Sequence, residues 1–66
     1  MKNRVHEYRK QSKMTQEELA KELGVTRQTI ISIENNRYIA SLQLAFKIAK
    51  LFNCNIEDVF EMEDGD

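Results

Sequence analysis

The stretch TQEELAKELGVTRQTIISIENN, from Thr15 to Asn36, constrains the fold more than any other part of the chain. Leu19, Ala20 and Leu23 fall at helical spacing, as do Ile30 and Ile33, and only the break at Gly24-Val25 separates the two sets. Thr15 is placed as an N-cap, and Glu18 three residues on completes a capping box. Gly24 suits the left-handed position that ends a helix, because it carries no Cβ to clash. Thr26 then offers a second N-cap. Two short helices joined by a tight turn satisfy all of these signals at once. One continuous rod does not.

Helical period governs the flanks as well. A first helix is expected over Asn3–Gln11, with Val5 and Tyr8 one turn apart on its apolar side. Asn35-Asn36-Arg37 ends the third helix, since asparagine tolerates the left-handed region. Ser41 caps a fourth helix, SLQLAFKIAKLF, with Leu42, Ala45, Ile48, Ala49 and Phe52 expected on its buried face. Asn55 caps a short fifth, NIEDVF, with Asp58 at the capping-box position and Ile56, Val59 and Phe60 apolar. No sustained alternation suggests a strand. The expectation is a compact all-α domain of five helices over residues 1–60, followed by an acidic tail, 61–66, that frays.

Composition narrows the function. With 66 residues, the chain buries roughly 60% of its unfolded surface, so its core is small. One cysteine and one histidine supply neither a disulfide framework nor a zinc site. Apolar runs never exceed three residues, and MKNRVHEYRK has no apolar stretch behind its charges. A reduced, cytoplasmic setting without membrane, metal or cofactor is expected. No carboxylate pair, nucleophile grouping or glycine-rich phosphate loop suggests an enzyme. His6 reads as a solvated surface residue and Cys54 as a small buried hydrophobe.

Net charge is −1, yet it is unevenly spread. Residues 1–37 hold eight Lys/Arg against five Asp/Glu, whereas residues 38–66 hold two against six. One end can face a polyanion while the other is repelled by it.

These residues resemble the helix-turn-helix of the Cro and phage-repressor (xenobiotic-response-element) family. Gln16, Ala20, Gly24, Ile30, Ile33 and Glu34 match its pattern, and RQTI, IENNRY, SLQLAFKIAKLF and IEDVF extend the likeness to Val5–Phe60. One departure is Ala40, where relatives commonly carry proline before the serine of the fourth helix. The loop Arg37–Ala40 is therefore freer in the unfolded chain. The resemblance implies a lambda-repressor-like fold, double-stranded DNA as partner, and an ion pair between Arg9 and Glu34.

The residues support this reading independently. With Ile30 and Ile33 inward, a 100° step per residue turns Arg27, Gln28, Ile31 and Asn35 outward. Gln28 can pair with adenine, Arg27 can reach guanine, and Ile31 can meet a thymine methyl group. The resemblance adds Ser32 to these base readers. Backbone contacts are expected from Gln16 and the free N–H groups at the start of its helix, and from Thr26, Thr29, Asn36, Arg37 and Tyr38. Thr26 has a rival role as a cap and Tyr38 as a packing residue. A homodimer on a palindromic operator is expected, with half-sites roughly 34 Å apart. Leu44, Leu51 and Phe60 are the expected interface. The rival readings are an antitoxin of a toxin–antitoxin pair and a protein-interaction module on the same fold.

Overall fold

Side-chain caps set the starts of the central helices. The Thr15 hydroxyl accepts the Glu18 N–H at 3.1 Å, and the Glu18 carboxylate takes the Thr15 N–H at 2.9 Å. The Thr26 hydroxyl accepts the Thr29 N–H at 3.2 Å, and the Ser41 hydroxyl accepts the Leu44 N–H at 3.1 Å. At the last helix the Asp58 carboxylate accepts the Asn55 N–H at 2.9 Å. Each bond satisfies a donor that the first helical turn leaves without a partner.

The computed structural model describes residues 2–62, so Glu63–Asp66 of the expected acidic tail lie outside the described residues. The order is β1 (Lys2–Asn3), α1 (Val5–Gln11), α2 (Gln16–Leu23), α3 (Arg27–Glu34), α4 (Leu42–Leu51), α5 (Ile56–Val59) and β2 (Phe60–Glu61). Gly24 ends α2 at φ 72°, and Asn36 stands just beyond α3 at φ 59°. Both occupy places where the sequence pattern puts a left-handed residue.

The core gathers one stripe from each helix. Val5, Leu19, Ile30, Ile33, Ile48 and Val59 are fully enclosed, with Ala20, Leu23 and Leu44 beside them. Tyr8 packs its ring on Phe52, with centroids 5.5 Å apart, which ties α1 to the end of α4. Cys54 is half-buried against this cluster, in keeping with a small apolar role.

Four expectations need correction. Asn3 does not begin α1: it lies in β1, paired antiparallel with β2 in the register Lys2↔Glu61 and Asn3↔Phe60. These strands of two residues each are too short for an alternating pattern to register in the sequence. Glu61, expected in a fraying tail, is thereby paired. On α4 the buried stripe runs through Leu44 and Ile48, four residues apart, with Ala45 and Ala49 alongside. Leu42 lies two residues from Leu44, on the far side of the helix at 100° per residue, and is 70% exposed. Leu44 is core, and it is not free to line a surface between subunits.

Candidate nucleic-acid interface

α3 is fixed from below and open above. Ile30 and Ile33 are buried, Arg27 and Gln28 are exposed, and Ile31 and Ser32 are half-buried. The helix thus presents its first turn and one polar side while its apolar side is locked in the core. Thr26 is occupied as a cap, and its hydroxyl also lies 3.0 Å from that of Thr29. Beyond the helix, Asn36, Arg37 and Tyr38 are exposed.

A polar network holds the other end of α3. The Arg9 guanidinium donates from Nε to Glu34 Oε2 at 2.7 Å and from Nη2 to Glu34 Oε1 at 3.2 Å. Its Nη1 donates to the Met14 carbonyl at 2.9 Å, across the α1–α2 connection. Both side chains of the pair are nearly enclosed, at 7% and 5% exposure. Arg9 and Glu34 therefore pair, as the resemblance implies. Gln16 Nε2 donates to Glu34 Oε1 at 3.2 Å, and its Oε1 receives a long 3.5 Å bond from Arg27. His6 has an exposed side chain as expected, but its Nδ1 lies 3.2 Å from Glu34 Oε1 and 3.1 Å from Arg9 Nη2.

Burial alone disfavours the charge on Glu34. Hydrogen bonds from Arg9, Gln16 and His6, together with the positive charge of Arg9, outweigh it and hold the carboxyl below its usual range. Glu18 is likewise held low by the hydrogen bonds of its capping box with Thr15.

Along this network runs an open cleft lined by His6, Arg9, Lys10, Thr15, Gln16, Glu17 and Arg27. It combines the N-terminal end of α2, where backbone N–H groups are free, with the cationic side chains of Lys10 and Arg27. A second cleft lies between the α2–α3 turn and the start of α4, with Gly24, Thr29, Tyr38, Ser41, Gln43 and Lys47 among its walls. The first cleft draws on the start of α2, the second on its end and the turn to α3. Sequence patterning did not single out Lys10, Gln43 and Lys47. The only signal for them is a polar or basic residue out of phase with the buried stripe. Leu51 and Phe60 belong to neither cleft: Leu51 is 38% exposed, and Phe60 packs partly on the core.

A helix-turn-helix family model matches residues 5–59. The chain belongs to the helix-turn-helix family. It is 58% identical to an uncharacterized HTH-type transcriptional regulator of Methanocaldococcus jannaschii over 66 residues, which cover 100% of both chains. A similar regulator of Bacillus subtilis is 48% identical over 64 residues, covering 97% of each. In structure the chain resembles the SOS-response transcriptional repressor LexA of Eubacterium rectale, with a TM-score of 0.81 at 29% identity. That likeness covers 94% of this helix-turn-helix chain and 66% of the LexA chain. The names of these relatives describe regulators and not enzymes. Among the described residues, no helix is long and apolar enough to cross a membrane.

Proposed function

We propose that this helix-turn-helix protein is a sequence-specific regulator of transcription that binds double-stranded DNA, works in the cytoplasm as a homodimer and represses by occupying a promoter. The observation that carries the reading is the state of α3: Ile30 and Ile33 sealed beneath it, Arg27 and Gln28 exposed above it, and its end clamped by Arg9 and Glu34. A rigid helix with outward hydrogen-bonding side chains suits the major groove, whose base edges present distinct donor and acceptor patterns. Arg27, Gln28, Ile31 and Ser32 are the proposed readers. Gln16 keeps its second amide hydrogen for a phosphate, and Arg37, Asn36, Tyr38 and Thr29 flank the groove on the other side.

The proposed dimer surface keeps Phe60 of the residues that the sequence suggested and leaves out Leu44, which is buried. With Leu44 in the core, the most exposed apolar side chains among the described residues are Ile39, Leu42, Phe46 and Met62, at 72%, 70%, 58% and 66% exposure, with Leu51 also at the surface. Leu42 and Met62 border an apolar groove completed by Ala40, Ala45, Ile56 and Phe60. So much unpartnered apolar surface on a chain this small favours a second copy, related by two-fold symmetry and setting half-sites roughly 34 Å apart.

Selection of bound sites from random duplex DNA tests the reading. The expected result is a palindrome whose enrichment vanishes when Gln28 and Arg27 are both replaced by Ala. Salt adds a second check: two or three cationic phosphate contacts per subunit give a log–log slope of roughly −4 to −5 for a dimer. Enrichment of no sequence at all overturns specific DNA binding.

A further inference from the structure

Asn3 lies outside both clefts, yet its side chain reaches the end of α3. Its Nδ2 donates to the Ile33 carbonyl at 2.8 Å and to Asn36 Oδ1 at 2.9 Å. Its Oδ1 accepts the Val5 N–H at 3.1 Å, at the start of α1. The Ile33 carbonyl is one of the last in α3, where the helix itself runs out of donors. It takes the Asn36 N–H at 3.0 Å and the Asn3 amide together.

Just beyond Ile33 the chain leaves the reading helix. Asn36 stands at φ 59°, a left-handed conformation that a non-glycine residue holds at a cost. Its side-chain oxygen is held by Asn3, which leaves its Nδ2 free as a donor. Arg37 comes next, with its N–H bonded to the Ser32 carbonyl at 2.9 Å. The direction in which Arg37 and Tyr38 depart is therefore set at a joint that Asn3 grips from across the molecule.

Asn3 itself has little freedom to drift. β1 pairs with β2, the Arg4 N–H donates to the Val59 carbonyl at 2.7 Å, and Arg4 Nη1 donates to the Asp58 carbonyl at 3.2 Å. The two ends of the described chain are thus fastened together, and the fastening carries the amide that holds the exit of α3.

We propose that Asn3 is a positioning residue for DNA binding, which fixes the exit of α3 so that Asn36 and Arg37 meet the phosphate backbone. The inference rests on the proposed DNA binding and adds to it a residue that touches no DNA. A purely structural role is the competing explanation, because Asn3 also accepts the first N–H of α1. Asn3→Asp separates the two. It keeps an acceptor for the Val5 N–H and loses the donor to Ile33 and Asn36. Asn3→Ala loses both and serves as the uncharged companion.

The test joins amide hydrogen exchange on the free protein to binding of a duplex selected by the wild-type chain. Asn3→Asp and Asn3→Ala should each speed exchange at the Asn36 and Arg37 amides about tenfold, the scale of one lost hydrogen-bonding contact. Exchange at core amides of α2 and α4 should stay unchanged in Asn3→Asp. Both variants should bind the selected duplex about tenfold more weakly, with a flatter salt slope, as expected when Arg37 no longer meets its phosphate. Asn3→Asp with wild-type exchange at Asn36 and Arg37, or with wild-type affinity and salt slope, overturns this inference alone. A wild-type chain that selects no duplex overturns the DNA reading and this inference with it.

Discussion

The α2–α3 unit and the α4–α5 end of the molecule expose opposite kinds of surface. On the first, outward Arg27 and Gln28 stand over a helix whose last residue, Glu34, is held by Arg9 and Gln16. On the second, Leu42 and Phe46 project from α4 largely exposed, Leu42 at the groove walled by Ile56 and Phe60. The difference lies in what each surface still requires. A polar face loses little in water and gains by meeting charged phosphates and base edges in defined geometry, so it must be rigid. An apolar face costs free energy while it stays wet, and a partner of matching shape removes that cost.

The largest effects should come from breaking the clamp beneath the polar face. Arg9→Ala or Glu34→Ala leaves a nearly enclosed charge without its partner and should cost about 3–5 kcal/mol, read by urea denaturation. Arg9→Met combined with Glu34→Leu should cost less than either single change, since no charge is left stranded. If the double variant loses the sum of the singles, the clamp is not acting as a pair.

Leu44 and Leu42 sharpen the contrast on α4. Leu44→Ala should cost about 2–5 kcal/mol because it opens a cavity, whereas Leu42→Asp should leave monomer stability within about 0.5 kcal/mol. Sedimentation should then show Leu42→Asp, and likewise Phe46→Asp, as a 7.8 kDa species, and the wild-type chain, if the proposed dimer forms, at twice that mass. A wild-type chain that sediments as a monomer at tens of micromolar, about the scale of a weak interface, removes the proposed role of the apolar face.

Effects on DNA should be smaller and more selective. Gln28→Ala should cost about 1–3 kcal/mol of discrimination at one base pair per half-site. Arg37→Ala should keep the preferred sequence while flattening the salt slope by about two units per dimer. Equal weakening of Gln28→Ala on selected and random duplexes would move Gln28 from reading to backbone contact.

The smallest effect is expected from acid. Glu34 has a lower pKa in the folded chain than in the unfolded one, so the unfolded chain binds the proton more readily. Its contribution is complete above the ordinary carboxylate range and is lost as pH falls through the folded value. The stability difference between the wild-type chain and Glu34→Gln should therefore be constant from pH 7 to about 5 and shrink below about pH 4, measured by thermal unfolding.

Most of the α2–α3 unit was legible because its determinants are local. Thr15 with Glu18, Gly24, Thr26 and the pair Ile30 and Ile33 each lie within a turn or two of the atoms they govern, so spacing alone reveals them. The pairing of Arg9 with Glu34 spans 25 residues and was reached only through the family resemblance. α4 was harder, because Leu42 and Leu44 are both apolar and its sequence offers two plausible buried stripes. Only the packing of Leu44 and Ile48 into the common core chose between them.

What the sequence determined by itself is therefore the set of helices, their caps, the turn at Gly24 and the outward placing of Arg27, Gln28 and Asn35. Hydrogen bonding and side-chain period within a single helix are sufficient to specify those. Tertiary structure decided the rest: the β1–β2 pair, the reach of Asn3 across 30 residues to Ile33, the turning of Gln16 toward Glu34, and the exposure of Leu42. Each depends on which segments meet after the chain has collapsed, and a contact between distant residues leaves no periodic trace in the sequence that makes it.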